Sequence, residues 1–275
     1  MVHTLALPPA ARAFDAVAER FDERFGAWQS VSAQRRAVRA ALARAFPPGA
    51  RVLELGGGTG EDAAWLARTG RSVLLTDPSP TMVRVAERKL LALGLPAPLV
   101  ASAEALTPLR ALPGMPMDGA FSNFAALNCV TELGLVGRGL APLIRPGGAV
   151  LLVVFGVCTP GEWLLQLLRG EWRSMFRRFR TGDVHARLGG ADFVVRYHRK
   201  ADLATSLAPW FRLVSRQGIG IFVPPSAAEP WISRHPRVLA LLEWLDGMTS
   251  RMLPSLGDHI LYHFERTHAD ADALP

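Results

Sequence analysis

The stretch LELGGGTGEDAAWLA, residues 53–67, decides the fold. It joins an apolar run to a segment of helical spacing through a turn that holds four glycines. A glycine-rich turn at a helix N-terminus is typical of a phosphate-binding loop. Here Glu61 and Asp62 follow at once, and like charges within about 5 Å repel by on the order of a kcal/mol or more each, even at an effective dielectric constant of 20. The stretch therefore favours a cationic ligand over a pyrophosphate.

Apolar runs and helical segments alternate on both sides of this stretch. Strands are predicted at 51–55, 72–76, 97–101, 117–123 and 149–155, with helices at 61–69, 81–93 and 131–144 between them. Such alternation is typical of βαβ units and a parallel sheet. The nearly wholly apolar strands suit a sheet covered on both faces. Beyond residue 158 the pattern predicts strands at 191–198, 212–225 and 259–266 and a helix at 201–211.

The chain divides into four predicted segments. Cap helices occupy 1–48, and a ligand-binding core follows at 49–158. The stretch 159–200 is too long for an ordinary connection, so it is predicted to be a lid or substrate insert. The segment 201–275 completes the core sheet around a helical insert at 227–253.

Composition narrows the class of protein. Hydrophobic residues make up 49% of the 275 residues and charged residues 20%, which indicates a globular chain. Cys129 and Cys158 do not have the spacing of metal ligands, so we expect no metal site. Two cysteines are also fewer than a secreted disulfide framework needs, so we expect a cytoplasmic protein. The formal net charge is +7, yet no nucleic-acid-binding module is visible and nucleic acid is not an expected partner. The oligomeric state is left open.

Several motifs together resemble a known family. Glu54, Gly56, Gly58 and Gly60 match the E-x-G-x-G-x-G pattern of motif I in class I S-adenosylmethionine-dependent methyltransferases of the small-molecule type. The sulfonium and ammonium groups of that cofactor also suit the acidic pair. Asp77, at the end of the second strand, resembles the motif II acid that bonds the ribose hydroxyls.

Four further segments extend the resemblance. Ser102-Ala103-Glu104 resembles the motif III D-A-E, with serine where an aspartate often contacts the adenine amine. Residues 122–130 take the place of motif IV, which lines the methyl-transfer pocket, and 145–148 resemble the segment that follows it. Residues 14–25 resemble the N-terminal helix that caps the cofactor.

The resemblance implies a fold, a cofactor and a site. The fold is α/β, a Rossmann-like doubly wound sheet of seven strands in the order 3-2-1-4-5-7-6, with strand 7 antiparallel and helical cap inserts. The implied cofactor is S-adenosylmethionine. The residues expected to bind it are Glu54, Gly56, Gly58, Gly60, Asp77, Pro78, Met82, Ser102, Ala103, Glu104, Ser122 and Asn123.

The acceptor is predicted less directly. Methyl transfer is an in-line displacement that needs alignment, and it needs a base only when the acceptor must lose a proton. We expect a small, apolar or lipid-like acceptor, with O-, N- or C-methylation unresolved. Its pocket is predicted to be lined by Phe21, Phe124, Asn128, Trp172 and Phe176. The catalytic residues are unknown, and the candidate bases are His185, Tyr197, His198 and His259.

The stretch 163–180 carries an apolar stripe with arginines beside it. Trp172, Met175, Phe176 and Phe179 share one helical face. The stripe fits a lid over the acceptor, a basic amphipathic helix in peripheral contact with anionic lipid, or a helix packed on the domain. The lid hypothesis expects the side chains of Arg173, Arg177 and Arg178 to face solvent.

Two other functions remain open. The first is a cofactor-binding but non-catalytic partner protein of the same fold. The second is an NAD(P)-linked oxidoreductase, because Gly58, Gly60 and Ala63 also match G-x-G-x-x-A. The acidic pair Glu61 and Asp62 is the feature against the oxidoreductase.

Overall fold

A seven-stranded sheet forms the centre of the computed structural model, which describes residues 7–168, 170, 178 and 183–271. The strand order is β3-β2-β1-β4-β5-β9-β8, and β9 runs antiparallel to both neighbours. This confirms the predicted order, with β8 and β9 as the sixth and seventh core strands. The core strands are β1 (Arg51–Leu55), β2 (Ser72–Asp77), β3 (Leu99–Val100), β4 (Met117–Ser122), β5 (Ile144–Phe155), β8 (Phe211–Ile219) and β9 (His259–Arg266).

Helices cover both faces of the sheet, as the apolar strands require. The helices are α1 (Pro9–Asp15), α2 (Phe21–Phe25), α3 (Gln29–Ala45), α4 (Glu61–Arg68), α5 (Pro80–Leu91), α6 (Leu133–Leu140), α7 (Pro160–Leu168), α8 (Lys200–Leu207) and α9 (Pro236–Thr249). One core joins the sheet to α3, α4 and α5, and the other joins it to α6 and α8.

The segment predicted as a strand at 191–198 lies outside the core sheet. It is β7 (Ala191–Arg196), which pairs with β6 (Asp183–Leu188) in a separate two-stranded hairpin. Gly189 and Gly190 connect the strands with φ of +57° and +81°, the left-handed conformation that tight hairpin turns require. Phe193 and Val195 of β7 pack against Ala13 of α1. The hairpin therefore lies against the N-terminal segment.

The predicted helix at 131–144 ends early, at Leu140, and β5 already begins at Ile144. The register between β4 and β5 shifts after the pair Met117 and Ile144, so the Pro-Gly-Gly turn of 146–148 lies inside the strand as an irregularity. The helices found within the predicted cap segment 1–48 are α1, α2 and α3. The predicted segment boundaries at 48, 158 and 200 stay predictions.

Candidate active site

The glycine loop after β1 contains two kinds of glycine. Gly56, Gly58 and Gly60 have φ of +65°, +55° and +80°, which side chains rarely adopt. A Cβ on Gly56 would lie 2.5 Å from the Cβ of Ala126, so this position is closed by packing. A Cβ on Gly58 would meet nothing closer than Met82 Sδ at 4.0 Å. The loop therefore opens a space beside Gly58 that a ligand can enter.

Asp77, the last residue of β2, anchors this loop through a hydrogen bond. Its Oδ2 accepts a hydrogen bond from the Gly58 N–H at 2.9 Å, and its Oδ1 accepts one from the Ser79 N–H at 2.9 Å. Burial raises the pKa of Asp77 to about 6, although both hydrogen bonds oppose the shift. The carboxyl group lies where the resemblance expects a ribose partner, and that role stays a prediction.

Glu54 places a second carboxyl group under the loop. The residue is 2% exposed, and its Oε2 accepts no hydrogen bond from the described residues. Burial, followed by the charge of Asp62, raises the pKa of Glu54 well above its usual range. A hydrogen-bond donor of the expected cofactor would satisfy this buried oxygen of Glu54. These observations fit S-adenosylmethionine.

Contrary to the expectation from the sequence, the acidic pair Glu61 and Asp62 is already paired with basic side chains of the chain itself. Asp62 is buried and accepts a hydrogen bond from Arg39 Nε at 2.8 Å, with Arg35 Nη1 at 3.4 Å and the Asn123 amide at 2.7 Å. Glu61 pairs with Lys89 at 2.6 Å. Arginines on α3 and a lysine on α5 neutralise the acids, which the local sequence does not reveal. The pair therefore discriminates weakly between a sulfonium and a pyrophosphate.

Two aspartates of the N-terminal segment close onto the site. Asp15 accepts hydrogen bonds from Ser79 Oγ at 2.7 Å and from the Thr81 N–H at 2.8 Å. Asp22 accepts one from Thr59 Oγ1 at 2.5 Å and pairs with Lys89 at 2.5 Å. The segment 9–25 therefore bonds to the loop that contains Gly58 and to the start of α5 after β2. Sequence reasoning missed these aspartates, and the seven-residue spacing that places both in one amphipathic segment is the signal that could have found them.

The turn after β4 is strained. Ser122 is fully buried and donates to the Leu55 carbonyl at 2.9 Å, which ties β4 to β1. Phe124 and Ala125 then have φ of +46° and +61°, although neither is glycine. Two consecutive left-handed residues cost on the order of 1–3 kcal/mol each, and such strain concentrates at functional sites. The turn presents Phe124 toward His259, with ring centroids 5.8 Å apart.

His259 is the candidate base that lies nearest this turn. It opens β9 opposite Phe155, the last residue of β5, and the two rings lie 5.0 Å apart. Its Nδ1 is 3.4 Å from Asp258 Oδ2 without a hydrogen bond to it. Tyr197, a second candidate, contacts the same Phe155 ring at 5.8 Å. The structure therefore gathers two of the four candidate bases at the carboxyl edge of β4 and β5.

The other two candidates lie elsewhere. His185 is exposed on β6. His198 is buried, its Nε2 lies 3.0 Å from the Leu127 carbonyl, and burial lowers its pKa. Asn128 is fully buried and bonds to the Arg196 carbonyl and, at 3.0 Å, the Phe155 N–H. These contacts give Asn128 and His198 structural roles. Their predicted roles, in lining the acceptor pocket and as a base, stay predictions.

Arg178 corrects the expectation that the arginines of the insert face solvent. Its side chain is 6% exposed and pairs with Asp258 Oδ1 at 2.7 Å and Glu162 Oε2 at 2.6 Å. These carboxylates hold the pKa of Arg178 above its usual range despite its burial. The guanidinium also lies 5.4 Å from the ring centroid of Phe155. The cluster was missed because a run of arginines does not reveal which one is buried.

The remaining predicted site residues are placed as follows. Glu104 Oε1 accepts hydrogen bonds from the backbone N–H groups of Thr131 and Glu132 at 2.8 and 2.7 Å, so it anchors the start of α6. Met82 is buried, and the ring of Phe21 packs against that of Phe25 in a tilted arrangement with the centroids 4.7 Å apart. Pro78, Ser102 and Ala103 are partly exposed. Trp172 and Phe176 lie outside the described residues.

Comparisons with known proteins agree with this geometry. The family described as "Methyltransferase domain" matches residues 52–148. An arginine N(omega)-methyltransferase of Streptomyces achromogenes subsp. streptozoticus is 30% identical over 166 residues, 57% of this chain and 44% of that relative. The chain thus spans less than half the length of this curated relative.

Solved structures share the fold. The CcbJ methyltransferase of Streptomyces caelestis matches with a TM-score of 0.60 at 17% identity, over 93% of this chain and 98% of its own. The 1,6-didemethyltoxoflavin-N1-methyltransferase of Burkholderia thailandensis, solved with S-adenosylhomocysteine, matches with a TM-score of 0.52 at 20% identity, over 97% and 93%. Residues 52–148 thus match a methyltransferase domain, and the strand order is the one that the resemblance to class I S-adenosylmethionine-dependent methyltransferases implied.

Proposed function

We propose that this protein transfers a methyl group from S-adenosylmethionine to a small acceptor held at the carboxyl edge of β4 and β5. The observation that carries the proposal is the open space beside Gly58, in a loop that holds the buried carboxyl of Glu54 against Gly57 and bonds to the buried carboxyl of Asp77 through the Gly58 N–H. When bound, the cofactor supplies an electrophilic methyl group. Glu54, Asp77 and the backbone of the glycine loop would hold it, and the N-terminal segment would exclude water.

A matched pair of glycines tests the cofactor site. Gly58→Ala and Gly94→Ala both place a side chain at positive φ, and on Gly94 the added Cβ meets nothing within 4 Å. Both should lose about 1 kcal/mol of stability from backbone strain. Only Gly58→Ala should also weaken S-adenosylhomocysteine binding, by about tenfold or more, because its Cβ enters the ligand space. Calorimetry measures the binding, and equal affinities would contradict the assignment. Tight NAD binding without binding of either sulfur compound would instead favour the oxidoreductase.

The acceptor is proposed to be small and partly apolar, because Phe124, Phe155 and Tyr197 supply aromatic surface at this edge. His259 would take a proton from an acceptor that must lose one. His259→Gln should then lower turnover while S-adenosylhomocysteine binding stays unchanged. Cofactor binding without methyl transfer to any acceptor in a broad panel would favour the non-catalytic partner protein. A cytoplasmic location and lipid contact through 163–180 also stay proposals.

One observation favours a second class of acceptor, guanidino compounds. The edge already holds a buried guanidinium, that of Arg178, between the carboxylates of Asp258 and Glu162 and near the rings of Phe155 and Tyr197. The relative from Streptomyces is named for methylation of arginine. Methylation of L-arginine or agmatine, but not of lysine, followed as release of S-adenosylhomocysteine, would support this class. Turnover confined to uncharged aromatic acceptors would exclude it.

A further inference from the structure

The outer face of α9 is apolar and uncovered. Leu241, Trp244 and Met248 are 55%, 59% and 59% exposed, and their spacing of three and four residues places them on one face of the helix. Met252, just beyond the helix end, is 79% exposed. We call Leu241, Trp244, Met248 and Met252 the α9 stripe. An uncovered apolar stripe of this kind marks an interaction surface.

The opposite face of α9 is fixed to the domain. Leu239 is buried, and Asp246 accepts a hydrogen bond from the Phe222 N–H at 2.7 Å. Glu243 pairs with Arg36 of α3. Both acids of the helix are therefore engaged away from the stripe. Within the part of the chain that the structure describes, no helix is long and apolar enough to span a bilayer.

Positive charge accompanies the stripe. Arg237 lies seven residues before Trp244 on α9, and Arg251 lies beyond the helix end, next to Met252 of the stripe; both arginines are exposed. A second copy docked face to face through this stripe would bring these arginines against one another. An anionic surface would instead attract these arginines.

Arg251 also belongs to a basic groove. A cavity of about 580 Å³ is lined by Arg44, Arg216, Arg251 and His263, and none of the described residues that line it is acidic. Burial and the charge of Arg251 lower the pKa of Arg44, so these two guanidinium groups repel. The segment that ends α9 continues into this groove through Pro254. Apolar stripe and basic groove therefore adjoin.

We propose that α9 docks on an anionic phospholipid surface. The α9 stripe enters the boundary between headgroups and acyl chains, as interfacial helices do, and the basic groove takes a headgroup phosphate. This surface is separate from the cofactor site. The docking therefore holds whether or not the proposed methyl acceptor is correct.

Vesicle sedimentation of the wild-type protein tests the docking. The protein should pellet with vesicles that contain phosphatidylglycerol and stay in solution with phosphatidylcholine alone, and high salt should release it. Absence of pelleting with anionic vesicles overturns the proposal. Calorimetric binding of inorganic phosphate without pelleting does so too, because the groove then serves a free anion.

Paired variants identify the surface. Trp244→Ser with Met248→Ser, and separately Arg216→Gln with Arg251→Gln, should each weaken vesicle binding by about tenfold or more. Leu91→Ser, 58% exposed on α5, and Arg212→Gln, exposed on β8 and paired with Glu265, are the matched controls and should bind as wild type. Melting temperatures check that all variants fold. Unchanged binding of the stripe variant overturns the proposal, as does a wild-type dimer in sedimentation velocity that the stripe variant dissociates.

Discussion

At the scale of single residues, Asp77 links the fold to the expected cofactor through its protonation. Burial raises its pKa to about 6, above the usual aspartate value of 3.8. Between these values the folded state holds a proton that the unfolded state has lost, so the free energy of unfolding decreases as pH rises from about 4 to about 6. A ligand whose hydroxyls donate to the carboxylate has the opposite preference, since it binds the ionised form.

We therefore expect the affinity for S-adenosylhomocysteine to rise with pH through about 6. If only ionised Asp77 accepts the ribose bonds, the ionised fraction and the affinity both grow by about tenfold between pH 5 and pH 7. Calorimetry across this range measures the change. Asp77→Asn should bind weakly with an almost flat pH profile. A wild-type profile that is flat, or that falls with pH, would remove Asp77 from the ribose site.

At the scale of elements, the strained turn after β4 predicts opposite stability effects of glycine at two neighbouring alanines. Ala125 has φ of +61°, whereas Ala126 begins a 3₁₀ helix. Ala125→Gly should therefore raise the free energy of unfolding by about 0.5–1 kcal/mol, and Ala126→Gly should lower it by a similar amount. Denaturant titration measures both. Destabilisation by Ala125→Gly would mean that the turn is not a reservoir of strain.

The sequence predicted the positions of helices and strands better than the contacts between residues far apart in the chain. The core helices and strands, the glycine loop and the position of Asp77 follow from local patterns, because periodicity and turn chemistry act over a few residues. The strand order came from the family resemblance. The pairing of β6 with β7 escaped prediction, since β6 lies in a charged stretch without clear alternation. The arginine partners of Asp62 lie 23 and 27 residues away on α3. Only the folded chain brings such distant charges together.

At the scale of the whole molecule, the N-terminal segment 9–25 connects the loops that follow β1 and β2 through hydrogen bonds. Asp22 bonds to Thr59, next to Gly58, and Asp15 bonds to Ser79 and Thr81, which follow β2. Hydrogen bonds from Ser79 and Thr81 lower the pKa of Asp15 despite its burial, so this carboxylate stays ionised at neutral pH. Its amide replacement would keep the shape and lose the charge.

We predict that the double change Asp15→Asn and Asp22→Asn accelerates release of S-adenosylhomocysteine by about tenfold, because weakened charge-assisted bonds let the segment open more often. Stopped-flow displacement measures the release rate. Glu19→Gln is the matched control: Glu19 lies between the two aspartates, but its pair with Arg88 is exposed at 58% and 64%. The control should release ligand at the wild-type rate. If the double variant releases ligand no faster while the protein folds normally, the segment is packing on the domain without gating the site. If the control accelerates release equally, net charge rather than the two contacts governs access.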